Sequence, residues 1–141
     1  MANANEVHRQ IVEAWNRRDW DSLKNLLHAE YRYTGPDGKE FVGPEEGVKI
    51  SRMYATAFPD GKLEIKNTFV AGTNAIAEFR ATGTHKGDLR GVAPTGKRVE
   101  ISICNVIETK DGKVVREREY FDMLNLMVQL GVLQQPMTKA A

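Results

Sequence analysis

Asp111-Gly112 separates two long runs of strand-like sequence, Lys97 to Glu108 and Lys113 to Asp122. Both residues tolerate positive φ, which a two-residue hairpin turn requires, so the two runs are predicted to pair side by side. Two further runs precede them, Leu63 to Val70 and Ala75 to His85, joined through Gly72-Thr73-Asn74. Four successive strands, joined in two pairs by tight turns, predict a mostly antiparallel sheet.

The first half of the chain reads differently. Val7, Ile11, Ala14 and Trp15 recur at helical spacing within a helix from about Asn5 to Arg17. Asp19 is placed to cap a second helix whose stripe is Trp20, Leu23, Leu26 and Leu27. Tyr31-Arg32-Tyr33 alternates as a short strand, followed by the turn Gly35-Pro36-Asp37-Gly38. Gly43-Pro44-Glu45-Glu46 opens a third helix, with proline in its first turn and acids near the positive end of its dipole. Pro59-Asp60-Gly61 ends it. A last helix runs from Met123 to Leu130, with Gly131 as its C-cap. Helices first and strands later predict an α+β fold in which the N-terminal helices cover one sheet face. The 141 residues make a single domain, 1–141, with 134–141 a loose tail.

Charge and composition exclude several functions. Lys plus Arg total 20 against 19 Asp plus Glu, which is no footprint for nucleic acid. No apolar run approaches the roughly 20 residues of a membrane helix. The opening MANANEVHRQ lacks an apolar signal core, so a cytoplasmic location is expected. A lone cysteine, Cys104, makes no internal disulfide and fits a reducing compartment. His8, His28 and His85 are dispersed without ligand spacing, so no metal is expected, and His8 and His28 read as surface residues. The loop Gly91 to Gly96 lacks the Gly-Lys-Ser/Thr ending of a phosphate loop, and no Gly-x-Ser-x-Gly elbow is present.

Parity sorts the strand residues into faces. Val99, Ile101, Ile103, Asn105 and Ile107 share a strongly apolar face. Ala75, Ala77, Phe79, Ala81, Gly83 and His85 share a face of mainly small residues, which leave space when covered. In the last strand Arg116, Arg118, Tyr120 and Asp122 fall with Val114, opposite Val115, Glu117, Glu119 and Phe121. A bulge would reverse part of that assignment. Arg116 and Arg118 with Glu117 and Glu119 could also be cross-strand ion pairs on an exposed face. Asp122, between Phe121 and Met123, is either an ordinary helix cap or a carboxylate kept in an apolar place for chemistry.

Three segments resemble the SnoaL-like polyketide cyclases of the nuclear-transport-factor-2-like superfamily: AFPDGKLEI, ATGTHKGDLRGVAPTGKRVEI and REREYFDMLNLMVQLG. The resemblance implies a cone-shaped barrel, a strongly curved sheet wrapped around a deep cavity closed by helices. It implies an intramolecular aldol condensation on a small, mainly apolar carbonyl compound, by acid/base catalysis without metal or cofactor. On that pattern Asp122 matches the catalytic aspartate and His85 the family's histidine. Tyr120, Arg118, Phe79, Tyr54 and Trp15 are then expected to contact substrate. A homodimer is expected by analogy, with Ile101, Ile103 and Ile107 as an apolar surface unless they face the cavity. The alternatives are a non-catalytic binding protein of the same fold, an isomerase, or an epoxide hydrolase in which Glu78, Arg80 and Asp122 act together.

Overall fold

A computed structural model describes residues 3–134. The N-terminal layer is α1 (Ala4–Arg17), capped by the Asn3 side chain on the Glu6 amide at 2.9 Å, and α2 (Trp20–Asn25), capped by Asp19 on Ser22 at 3.1 Å. Arg18 joins them in a left-handed conformation, φ 58°, and lays its guanidinium 4.4 Å from the centre of the Trp15 ring. β1 (Leu27–Thr34) and β2 (Glu40–Val42) form a hairpin, followed by α3 (Pro44–Ala57). The rest of the sheet is β3 (Lys62–Ala71), β4 (Asn74–Thr84), β5 (Arg98–Lys110) and β6 (Lys113–Tyr120), and α4 (Met123–Gln129) closes the described chain.

The six strands lie in the order β2-β1-β6-β5-β4-β3. Every pairing is antiparallel except β1 with β6. The sheet curls without closing; α1 packs across β3, β4 and β5, and α3 across β1. The hairpin at Asp111-Gly112 is as read, with φ 55° and 75°. Leu27, expected at the end of α2, instead begins β1, because it pairs with Val114 of β6 and is buried there.

Val99, Ile103 and Ile107 of β5 and Ala75, Ala77 and Phe79 of β4 face inward and are buried. The isoleucine face is therefore core and cavity wall, and does not offer an outer surface for a partner. On β6 a bulge at Val115 falls between the Thr109–Val114 and Glu108–Arg116 pairs. The extra residue turns Val114 inward while Arg116, Arg118 and Tyr120 point outward, so Glu117 and Glu119 enter the covered side. Of the tail expected over 134–141, the residues beyond Gln134 lie outside the described residues.

Candidate active site

The space left by the small residues of β4 is a cavity of about 120 Å³ between the concave sheet, α1 and α3. Trp15, Tyr54, Phe58, Phe79, Ile103 and Phe121 supply much of its wall. Gly47 lets α3 approach β1; a Cβ there would stand 2.6 Å from the Tyr31 ring.

The polar groups of the chamber converge at Glu117 and Glu119. These carboxyls are two positions apart on β6, so they project side by side from one face. Both accept from the same amide, Asn105 Nδ2, at 2.7 and 3.0 Å. The Tyr31 hydroxyl donates to Glu117 at 2.6 Å and the Tyr33 hydroxyl to Glu119 at 3.1 Å. Behind Asn105, its Oδ1 meets His8 Nε2 at 2.8 Å, and His8 packs edge-on against Phe79. Asn105 donates through its NH2 group, so the assignment consistent with this chain has His8 Nε2–H donating to Oδ1.

The electrostatics follow from this confinement. Burial pushes the Glu119 carboxyl up to about 7, with the adjacent Glu117 charge adding to it. Burial also raises Glu117, opposed by the bonds from Tyr31 and Asn105. Two neighbouring carboxyls in an apolar chamber do not readily ionise together, so the pair holds a proton near neutral pH. Burial holds His8 below the usual histidine range, which keeps it neutral. The phenols of Tyr31 and Tyr33 are raised by burial and remain donors.

Of the residues predicted from sequence, Trp15, Tyr54 and Phe79 line this cavity. Asp122 does not: its carboxylate is exposed and caps α4, accepting from the Asn125 amide at 2.9 Å. The strand has ended at Tyr120, and Asp122 belongs to the turn into the helix. The cap alternative is the one the structure contains. His85 is buried, but away from the cavity lining; its Nδ1 accepts from the Thr95 amide at 3.1 Å and packs beside Phe58, pinning the loop that follows β4. Arg118 and Tyr120 lie on the outer face, Arg118 bonded to Glu108 and Tyr120 54% exposed. Glu78 and Arg80 are also exposed, bonded to Asn67 and Glu100, so they form no acid–arginine set with Asp122 in the chamber.

Glu117, Glu119, Asn105, Tyr31, Tyr33 and His8 were not predicted as site residues. His8 is fully buried, contrary to the surface reading. Asn105 carried the readable signal, as the polar residue between Ile103 and Ile107 on an otherwise apolar strand face. Among the described residues, no group of three or more His, Cys, Asp or Glu side chains is placed to hold a metal ion, and no helix is long and apolar enough to cross a membrane.

Comparison with known proteins agrees with this architecture. An aklanonic acid methyl ester cyclase from Streptomyces peucetius is 29% identical over 134 residues, 93% of this chain and 92% of the relative. The solved structure of AclR, a candidate hydroxylase from Streptomyces galilaeus, is 30% identical with a TM-score of 0.82, covering 94% of this chain and 83% of that one. A candidate SnoaL-like polyketide cyclase from Jannaschia sp. CCS1 shares the fold at a TM-score of 0.86 and 22% identity, over 93% of both chains. The family described as SnoaL-like polyketide cyclase matches residues 5–130, nearly the whole chain, and the protein belongs to that family.

Proposed function

We propose that the protein closes a ring in a small, mainly apolar carbonyl compound by intramolecular aldol addition, with Glu119 as the acid/base. The observation that carries this reading is the Glu117–Asn105–Glu119 cluster opening onto an apolar chamber. A carboxyl with a pKa near 7 takes a proton at neutral pH and can return it. Glu119 removes a proton α to a carbonyl, and the C–H electron pair passes into an enolate. The enolate carbon then bonds to a second carbonyl carbon of the same molecule. The alkoxide formed there takes the proton back from Glu119, so the step is atom-neutral. Glu117 holds the pair's pKa up, and Asn105 and the tyrosines fix both carboxyls in place. The apolar walls keep water from the enolate.

The test is turnover of diketo esters able to close five- or six-membered rings, followed by chromatography because product and substrate have equal mass. Glu119→Gln is expected to lower the rate by about 100-fold or more, the usual worth of a positioned acid/base. Full activity in Glu119→Gln would reject the assignment. Ligand binding without turnover in the native protein would make it a binding module. The chain functions in the cytoplasm on this reading, supported by its single half-buried thiol, Cys104. It works as a homodimer joined through the outer sheet face, where Phe69, Ile76 and Tyr120 are exposed.

A further inference from the structure

Three tyrosine hydroxyls belong to the cavity wall, and two are already engaged. Tyr31 donates to Glu117 and Tyr33 to Glu119. The third, on Tyr54 of α3, is buried and has no hydrogen-bond partner among the described residues. A buried, unpartnered hydroxyl costs about 1–3 kcal/mol, so its persistence calls for a reason. Its ring is also held. The Arg90 guanidinium stands 6.0 Å from the ring centre and is tied to Asp37 at 3.2 Å.

We infer that the Tyr54 hydroxyl is the donor that receives the substrate oxygen which becomes negative when the α-carbon is deprotonated. This deepens the acid/base reading of Glu119 and rests on it. The geometry suits the task. Tyr54 shares the chamber with Glu119, and it is the tyrosine hydroxyl there not committed to a carboxylate. Its proton is secure, since burial pushes the phenol up to about 12, opposed by Arg90 and assisted by Glu119 and Asp37. Tyr54 therefore donates a hydrogen bond and does not transfer its proton. The C–H electron pair moves onto the carbonyl oxygen, that oxygen accepts from Tyr54, and the proton resides on Glu119. A donor already aimed at developing charge in an apolar site needs no reorganisation during the step.

Binding of 4-nitrophenol tests this without turnover, because its absorbance separates neutral from ionised forms. Glu119→Gln supplies the neutral side chain that coexists with an enolate. The double variant Glu119→Gln/Tyr54→Phe differs from it by one hydroxyl. The phenolate is expected to bind Glu119→Gln at least about tenfold more tightly than the double variant, equivalent to about 1.4 kcal/mol. 4-Nitroanisole, which cannot ionise, is expected to bind both equally. The Tyr54→Phe melting temperature should be unchanged or higher, since no bond is lost. Equal phenolate affinity in the two variants, no phenolate binding by Glu119→Gln, or clear destabilisation by Tyr54→Phe would each overturn the proposal. Retained turnover in Glu119→Gln alongside the tenfold phenolate effect would remove the base and leave the oxygen site standing.

Discussion

Glu119 has a distinct thermodynamic signature. Its native pKa of about 7 exceeds its ordinary value of 4.5, so the folded protein binds more protons than the unfolded chain between those limits. Stability is therefore lost as pH rises through that window, by on the order of 3 kcal/mol from this group. Glu119→Gln should flatten the loss and be more stable than the native protein at pH 8, as denaturant unfolding at pH 5 and 8 would show. His8 acts oppositely, costing stability as pH falls below its ordinary 6.5, but it is common to both proteins and cancels in the comparison. Asn105→Leu should destabilise by about 1–3 kcal/mol, because it strips Glu117, Glu119 and His8 of a shared partner. The same residues show what the sequence could tell. Strand parity alone places Glu117 and Glu119 on one face with Phe121, and all three line the chamber. Charged residues alternating with arginine nevertheless read equally well as exposed ion pairs, and only the bulge and the strand's place between β1 and β5 decide between them. His8 sat beside the apolar stripe of α1, but its partner lies 97 residues away in sequence.

Local elements were the most legible, since their signals are short-range. Asp19 caps α2, Pro44 opens α3, and Asp111-Gly112 turns the last hairpin. The short β2 carries no periodic pattern that marks it as a strand; it exists because Glu40–Val42 pairs along β1. The β6 bulge is the deeper case, because one extra residue at Val115 decides which half of the strand enters the chamber. Asp122 follows from the same geometry. Asp122→Ala should cost about 1 kcal/mol by removing the α4 cap, measured by thermal unfolding. Asp122→Asn, itself a good cap, should retain both stability and cyclisation. At Gly47 the α3–β1 contact has no room, and Gly47→Ala should cost about 1–3 kcal/mol by pressing on Tyr31.

At the scale of the whole molecule, the curled sheet makes two unlike surfaces. The concave one is a small apolar chamber with a buried pair of carboxyls bridged by Asn105. The convex one carries Tyr120, Arg118 and Glu100, and Phe69 opposite Ile76 at the β3–β4 end. A homodimer through that face should be weakened by Tyr120→Glu, seen by light scattering after size exclusion, with ring closure at the separate inner site persisting in the monomer. The family pattern points to Asp122, whereas the inner face presents Glu119, and the two differ in something directly observable. The side-chain carboxyl carbons of 13C-labelled glutamate, followed by NMR across pH 4 to 9, test this with no substrate needed. One resonance should titrate near pH 7 and vanish in Glu119→Gln, while remaining in Asp122→Asn. If every glutamate titrates near its ordinary 4.5, the carboxyl pair holds no proton at neutral pH and Glu119 is not the acid/base.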